Sequence, residues 1–290
     1  MTLNSNRFAM MLLFLAFLFI SACDSNNRTT TKAVQSPQVP ERLFREKYKA
    51  GERKVVTING VEFAFRWCPA GTFMMGSPSS EKGHNVDEKR HQVSLSKGFW
   101  IMETEVTQKQ WNAIMKKNRS CNKGDDLPVE NVSWNDCQEF CKNCEQLDLP
   151  VQLPTEAQWE YACRAGSTTP YFWGDFLDGV QANCDGHFGH ELFGKKGKKV
   201  GNTTPVGSYP PNEWGLYDTH GNVLEWCADR FAPYSGKSET DPTGPSTGSV
   251  RVTRGGFFDA PPDFCRSARR HCANEKARSL FIGFRCALNE

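Results

Sequence analysis

The sequence predicts an α+β fold built from a few short helices and short strands. Its 24 glycines and 16 prolines divide the chain into short segments, which is the first observation behind this prediction. The second is an alternating apolar segment centred on an Asn-Gly pair. The third is a set of short amphipathic segments that each begin with a helix-capping pattern. A helix bundle needs longer apolar stripes, and a doubly wound sheet needs repeated strand–helix units, so neither class fits.

Residues 55–67 provide the predicted strand pair. Apolar and polar side chains alternate from Val55 to Trp67, as in strands with one buried face. Asn59-Gly60 lies in the middle, and Asn-Gly suits a two-residue primed turn because both central positions need a positive φ. The segment therefore predicts a β-hairpin.

Three capping boxes mark the predicted helices. A hydroxyl and a Gln or Asp three residues later satisfy backbone amides that have no partner at a helix start. The boxes are Thr107-x-x-Gln110, Ser133-x-x-Asp136 and Thr155-x-x-Gln158. The apolar residues that follow at helical spacing are Trp111, Ile114 and Met115, then Cys137, Phe140, Cys141 and Cys144, then Trp159, Ala162 and Cys163, with Gly166 as the last stop. Each segment predicts a short helix with one buried face.

The N-terminus predicts export and lipidation. Arg7 precedes an apolar run from Phe8 to Ile20, which is shorter than the roughly 20 residues that span a bilayer. Ile20-Ser-Ala-Cys23 has the pattern of a bacterial lipoprotein signal, so residues 1–23 are predicted to be a signal peptide with a lipidated Cys23. An ordinary signal peptide with an incidental cysteine is the alternative.

The predicted organisation is a signal peptide, a flexible tether over residues 24–45 and one domain over residues 46–290. The tether is polar and rich in Ser, Thr and Asn. The predicted location is the bacterial cell envelope, outside the cytoplasm and attached to the membrane by lipid. In enteric bacteria, an aspartate directly after the lipidated cysteine retains a lipoprotein at the inner membrane, and Asp24 has this position. If this rule applies, we expect the protein at the periplasmic face of the inner membrane. Otherwise we expect it at the outer membrane or the cell surface.

The net charge bears on the class of partner, and the number of cysteines bears on disulfide formation. A net charge of +2 and a pI near 7.9 give no reason to expect a nucleic-acid partner. Twelve cysteines less Cys23 leave eleven in the exported chain, which predicts disulfides with at least one thiol left over.

Two metal-like spacings have simpler interpretations. Cys137-x3-Cys141-x2-Cys144 has the spacing of an iron–sulfur motif, but the three thiols share one face of a predicted helix, where small apolar side chains pack in a core. His187-x-x-His190 lies in a glycine-rich loop with no third ligand at a regular spacing. We therefore expect core cysteines and solvated loop histidines.

Several motifs together resemble one family. They are Leu153-Pro-Thr-Glu-Ala-Gln-Trp-Glu-Tyr161, Gly221-Asn-Val-Leu-Glu-Trp226, Arg251-Val-Thr-Arg-Gly-Gly256, Phe264-Cys265-Arg266 and Gly283-Phe-Arg-Cys286-Ala. In this order, from about Phe63 to Ala287, the chain resembles the formylglycine-generating enzyme (sulfatase-modifying factor) family. The resemblance implies an irregular fold related to C-type lectins.

The resemblance also implies structural calcium. The family's second calcium site corresponds to Asp218, Gly221, Val223 and Glu225, which supply oxygen ligands of the kind that calcium prefers. The alternative is that Glu225 only stabilises the turn. A first calcium site would begin at Asn183, but it is weaker because its later carboxylate falls at about Lys198.

Two disulfides follow from the same comparison. The resemblance implies that Cys141 pairs with Cys286 and that Cys163 pairs with Cys272, although Cys272 lies two residues later than the family spacing.

The catalytic pair of the family is incomplete. Its enzymes bind copper through two cysteines five residues apart, and these positions correspond to Ala260 and Cys265. Phe257 and Leu224 also replace a serine and a tryptophan of the family's active site. Because two thiolates suit a soft cuprous ion and one does not replace them, copper binding is not expected. A ligand-binding surface is expected instead at Phe257, Phe258, Asp259, Arg266, Arg269 and Arg270.

These residues favour a membrane-tethered binding or accessory module whose ligand is a polypeptide or another surface molecule. The resemblance includes variable lipoproteins of diversity-generating retroelements, whose variable segment corresponds to residues 257–282. One alternative is an oxygen-dependent enzyme that oxidises a cysteine in an exported sulfatase. Another is a related oxygen- or metal-dependent enzyme on the same scaffold.

Overall fold

A β-hairpin opens the part of the chain that the computed structural model describes, which is residues 47–188 and 197–289. Strand β1 (Arg53–Ile58) pairs antiparallel with β2 (Val61–Cys68). Asn59 and Gly60 join them with φ of 52° and 76°, which confirms the primed turn. The predicted signal peptide 1–23 with Cys23 and the predicted tether 24–45 lie outside the described residues.

Three sheets organise the described strands. The first has the order β1-β2-β5-β11, with β5 at Phe99–Met102 and β11 at Ala287–Asn289. The second has the order β10-β6-β8-β9, with β6 at Leu224–Arg230, β8 at Val250–Arg254, β9 at His271–Asn274 and β10 at Ile282–Gly283. The third contains β3 (Gly71–Met75), β4 (His91–Leu95) and β7 (Glu239–Thr240). β11 closes the first sheet by pairing antiparallel with β5, so the two ends of the domain meet.

The predicted helices form where the capping boxes place them. They are α1 (Gln108–Ile114), α2 (Trp134–Glu145) and α3 (Glu156–Arg164), and both reciprocal hydrogen bonds of each box are present. Helix α3 ends at Ala165 with a left-handed φ of 44°, and Gly166 follows with φ 93°. The α+β class predicted from the sequence is therefore confirmed.

Helix α2 packs on the largest core. Its Phe140 stacks on Trp111 of α1 at 5.5 Å between ring centroids and meets Phe284 edge-on at 5.3 Å. The cysteines Cys137, Cys141 and Cys144 of the iron–sulfur-like spacing are buried in the same cluster. In the described ranges, no group of three or more His, Cys, Asp or Glu side chains is arranged to hold a metal ion. The burial of the three cysteines in this apolar cluster confirms the core interpretation.

The chain separates by contacts into Met1–Arg45 and Glu46–Glu290, and the fold above belongs to the second unit. Among its described residues, no helix combines the length and apolar character needed to cross a membrane.

Candidate functional site

The site predicted from the sequence lies where β8 leaves the second sheet. Gly255 and Gly256 follow with φ of 99° and 80°, which turns the chain toward the short 3-10 helix Pro262–Cys265. A Cβ at Gly256 would lie 2.4 Å from Cys265 Sγ, so only glycine leaves room for this thiol. We call residues 255–265 the glycine turn.

The glycine turn contributes two residues to a small apolar cluster, here called the sulfur pocket. Its buried members are Tyr171, Leu177, Ala182, Cys184, Ala260 and Cys265. The exposed fractions of Ala260 and Cys265 are both 0%, so solvent reaches neither side chain. The structure therefore places the two predicted copper-pair positions together, but only one of them carries sulfur.

A second thiol contacts Cys265 from another part of the chain. A hydrogen bond with Cys184 and burial raise the pKa of the Cys265 thiol well above its usual value, so the thiol is held neutral. The backbone fixes this approach, because Asp185 N donates to Ala260 O at 2.8 Å. The sequence analysis did not identify Cys184, whose only signal was its position beside Asn183.

The side chain of His220 is hydrogen-bonded to the backbone of the glycine turn. Its Nδ1 donates to the Cys265 carbonyl oxygen at 2.6 Å, since a carbonyl only accepts. Burial lowers the pKa of His220 to about 4, so the imidazole is neutral near neutral pH. The sequence analysis passed over His220, because a single histidine beside a glycine has no distinctive spacing.

Residues 218–225, here called the acid loop, lie directly against the glycine turn. Gly221 N donates to Gly255 O at 2.7 Å, and Phe258 N donates to Asn222 O at 3.0 Å. Gly221 has φ 87°, and a Cβ there would lie 2.2 Å from the Asn183 carbonyl oxygen. Both features require glycine at this position.

Glu225 is the most heavily bonded side chain of the acid loop. Arg285 donates to both of its carboxylate oxygens at 2.6 Å, and Trp159 Nε1 donates to Oε2 at 2.7 Å. Glu225 and Arg285 are 0% and 1% exposed, so this is a buried, bidentate ion pair.

Two further carboxylates lie beside this pair. Burial raises the pKa of Asp218 to about 6, and burial with the neighbouring Asp218 and Glu225 raises the pKa of Glu105 well above its usual value. Three carboxyl groups therefore lie near the single guanidinium of Arg285, and a bound divalent cation would favour their ionised forms. The oxygen positions do not surround one in this arrangement, because Arg285 and Trp159 occupy the oxygens of Glu225.

The predicted first calcium site, which begins at Asn183, has fewer oxygen ligands than the acid loop. Asn183 Oδ1 is buried and has no hydrogen-bond partner, which leaves one oxygen for a cation. Lys198 stands where a carboxylate was needed, and its carbonyl accepts from Gly186 N. The neighbouring Lys199 bridges Asp185 and Asp259, so an ammonium supplies positive charge in this region.

A family model described as the sulfatase-modifying factor enzyme 1-like domain matches residues 64–290, which is most of the chain. This chain belongs to the sulfatase-modifying factor family. The family predicted from the motifs is therefore confirmed.

Several curated relatives are formylglycine-generating enzymes. The protein from Streptomyces coelicolor is 41% identical over 170 residues, which cover 55% of this chain and 52% of that protein. The protein from Mus musculus is 34% identical over 206 residues, covering 68% and 53%. The chain thus spans about half the length of these relatives.

Solved structures support the same fold. The Treponema denticola variable protein 1 is 28% identical, with a TM-score of 0.72 over 82% of this chain and 99% of that one. PvdO from Pseudomonas aeruginosa is 29% identical, with a TM-score of 0.71 over 84% and 100%. The predicted C-type-lectin-like fold of the family is confirmed.

The predicted arginine surface needs correction. Arg266 is 1% exposed and binds Glu88 and Glu81, while Arg270 is buried and binds Glu156 through two hydrogen bonds. These guanidiniums are unavailable to a ligand because acidic side chains of the fold already pair with them.

The other predicted contact residues divide between interior and surface. Phe258 is buried, whereas Phe257 and Arg269 are half-buried. Asp259 is exposed but paired with Lys199. The accessible part of the predicted surface is therefore smaller and more aromatic than the sequence indicated.

The two predicted disulfides are not formed in this structure, where all eleven described cysteines are thiols. Cys141 and Cys286 lie together, with their sulfurs 3.9 Å apart. Cys163 is buried and bonds to Thr219 O at 3.7 Å, whereas Cys272 is exposed on β9. Cys141 and Cys286 are thus adjacent, whereas Cys163 lies in the interior and Cys272 on the surface.

His187 of the paired-histidine motif is exposed and lies 3.6 Å from Asp185. His190 and Lys195 lie outside the described residues.

Proposed function

We propose that this protein is a binding or accessory member of the sulfatase-modifying factor family that lacks the two-cysteine copper chemistry. One observation carries the proposal: the buried Ala260 has no ligand atom where the first copper cysteine is expected, and Cys265 is sealed from solvent. A substrate thiolate needs access to a metal held by two soft ligands, and the burial of Cys265 and of the neighbouring Cys184 denies that access.

The proposed ligand surface is the outer face of residues 257–282. Phe257 and Phe281 lie 4.5 Å apart between ring centroids, and Phe264 packs between His271 at 5.3 Å and the guanidinium of Arg269 at 4.6 Å. Half-buried aromatic side chains next to charged groups suit a polypeptide ligand, because they offer rigid apolar contact area with polar groups nearby.

The similarity to a variable protein favours this surface. Residues 257–282 lie between the Arg-Gly-Gly and Gly-Phe-Arg motifs, where the family resemblance implies a variable segment. A reverse-transcriptase gene beside this gene, with a template copy of its 3′ end, would support this form of the proposal.

An oxidation assay tests the absence of the copper chemistry. The purified protein is incubated with cuprous ion, oxygen, a thiol reductant that supplies the two further electrons and a Cys-x-Pro-x-Arg peptide, and the peptide mass is measured by mass spectrometry. We expect the peptide thiol to remain unconverted. Conversion of the cysteine to an aldehyde with multiple turnovers would reject the proposal.

A display experiment tests the ligand surface. Peptides selected on the immobilised protein should bind at least tenfold more weakly to a Phe264→Ala variant, since loss of one aromatic anchor costs more than about 1.4 kcal/mol. Leu147→Ala is the matched control, because Leu147 is a partly exposed apolar residue at the end of α2. Equal weakening by both variants would place the ligand elsewhere.

The alternative is an oxygen-dependent enzyme of the family, acting on a cysteine of an exported sulfatase or in a related oxidation. The curated formylglycine-generating relatives favour it. Ala260, Phe257 and Leu224 oppose it, since Leu224 is packed in the main core and Phe257 packs against both that core and the sulfur pocket.

We also propose that lipid on Cys23 attaches the domain to the cell envelope. Residues 24–45 would then separate the domain from the membrane surface. A Cys23→Ser variant should move from the membrane fraction to the soluble fraction. An unchanged distribution would exclude lipidation at this residue.

We further propose that calcium binds the acid loop through Asp218, Glu225 and the carbonyls of Gly221 and Val223. The cluster of buried carboxyl groups described above supports this site, in which calcium would have to displace Arg285 or Trp159 from an oxygen of Glu225. Added calcium should raise the melting temperature of the wild type and leave that of an Asp218→Ala variant unchanged. An equal rise in both proteins would reject the site.

A further inference from the structure

Cys184 and Cys265 bring two thiols together in the sulfur pocket. They are about 80 residues apart in the sequence, yet both are members of the same buried cluster, and Asp185 N, one residue after Cys184, donates to the Ala260 carbonyl of the glycine turn. The exposed fractions are 1% for Cys184 and 0% for Cys265.

The surroundings of the pair favour a bond between the two sulfurs. The Cys184 thiol, burial and the nearby Asp263 carboxylate all raise the pKa of the Cys265 thiol, so these surroundings disfavour a thiolate. A metal bound by cysteine needs thiolates, whereas a disulfide is neutral and suits an apolar environment.

Backbone contacts hold the two segments in register. Asp185 N donates to Ala260 O at 2.8 Å, one residue from Cys184, and Tyr171 Oη donates to Pro262 O at 2.8 Å. Gly256 leaves the space that Cys265 Sγ needs. The loop that carries Cys184 and the glycine turn therefore approach each other without the sulfurs being bonded.

We propose that Cys184 and Cys265 form a disulfide that locks the glycine turn to the loop of residues 171–188. The two thiols lose two protons and two electrons, and a disulfide oxidant such as glutathione disulfide accepts them and becomes two thiols. The bond forms while the chain folds, and burial then protects it from reductant.

This bond goes beyond the proposed function, because it braces the surface of residues 257–282 whether or not that surface binds a polypeptide. It also occupies the only sulfur of the former copper pair, so Cys265 is unavailable to a metal or to a substrate thiol.

A peptide map tests the bond directly. Trypsin releases Cys184 in residues 165–195 and Cys265 in residues 255–266, and each peptide contains no other cysteine. The purified full chain is equilibrated with glutathione disulfide, alkylated under denaturing conditions and digested. We expect one linked ion that disappears on reduction. Two separately alkylated peptides, or Cys265 linked to another cysteine, would overturn the proposal.

Melting temperatures provide the second test. Cys184→Ala should lower the melting temperature of the oxidised protein by about 5–10 °C more than that of the reduced protein, because only the oxidised form loses a cross-link. Cys68→Ala is the matched control, since Cys68 is equally buried in a cluster without another cysteine. An equal loss in the oxidised and reduced Cys184→Ala proteins would contradict the bond.

A copper titration separates this inference from the proposed function. Stoichiometric retention of cuprous ion by the wild type, lost in Cys184→Ala, would replace the disulfide with a metal site and would count against both. Absence of the linked peptide in a protein without oxidase activity would reject the disulfide alone.

Discussion

The acid loop and the glycine turn are in contact along their backbones, but they match the motifs of the family to different extents. The acid loop has oxygen-bearing groups at the positions that the resemblance assigns to calcium, although Leu224 stands where a tryptophan is expected, and its Glu225 is fixed by Arg285 and Trp159. In the glycine turn, alanine stands at one of the two positions that the resemblance assigns to copper. The two regions are in contact, yet the acid loop has side chains at its predicted ligand positions and the glycine turn lacks one of its two.

The difference follows from what each side chain stabilises. Glu225 neutralises a buried guanidinium, so its loss leaves a charge without a partner inside the protein. A thiol at position 260 would add one sulfur to an apolar pocket, and a methyl group fills such a site at small cost to the fold. Alanine can thus stand at a predicted copper position without a large cost in the stability of the fold.

The largest effect that this comparison predicts is for Glu225→Ala. Arg285 is 1% exposed and would lose its bidentate partner, so we expect a loss of about 3–5 kcal/mol in the free energy of unfolding. Chemical denaturation of the calcium-free protein measures this value.

Cys265→Ala is the control for Glu225→Ala, because it removes a buried group from the other region. It should cost about 1–2 kcal/mol in reduced protein, where no cross-link is lost. If the two variants lose equal stability, the proposed contrast between the regions is wrong.

Gly256→Ala should have the next largest effect. The residue has φ 80°, and the new Cβ would lie 2.4 Å from Cys265 Sγ. Backbone strain and overpacking together should lower the free energy of unfolding by about 2–4 kcal/mol.

A double variant separates these two causes. Gly256→Ala combined with Cys265→Ala removes the sulfur but keeps the strained φ, so part of the stability should return. Strictly additive losses would show that the thiol does not restrict the glycine turn.

The smallest predicted effect concerns pH. Burial lowers the folded-state pKa of His220 to about 4, below the ordinary value near 6.5, so the unfolded chain binds the proton more tightly. Its contribution to stability is complete above about pH 6.5 and is lost as the pH falls toward 4, by up to about 3 kcal/mol.

His220→Asn keeps a donor for the Cys265 carbonyl without titrating in this range, so the fall in melting temperature between pH 6.5 and 4.5 should be smaller than in the wild type. His271→Asn is the comparison, because burial also lowers the pKa of His271 to about 4 in a less enclosed position. An unchanged slope for His220→Asn would show that this histidine does not bind protons differently on folding.

The sequence predicted the local elements well. Each capping box depends on hydrogen bonds between residues three apart, and Asn59-Gly60 depends on two adjacent φ angles, so neighbouring residues contain the necessary information. The family motifs located the acid loop, the glycine turn and the position of Ala260.

The sequence did not predict which side chains would be available. Arg266 and Arg270 read as surface residues because isolated arginines usually are. Their partners Glu88 and Glu156 come from distant segments, which no local pattern indicates. Cys184 was missed for the same reason, since its neighbour Cys265 lies far along the chain.

The sequence by itself determined the family, the helices, the hairpin and the missing sulfur at position 260, because these depend on residue identity and on contacts within one turn of chain. Only the tertiary structure decided that Arg266 and Arg270 are internal ion pairs, that three carboxylates share Arg285, and that Cys184 meets Cys265. Burial and pairing arise when distant segments pack together, and they determine charge, accessibility and reactivity at the site.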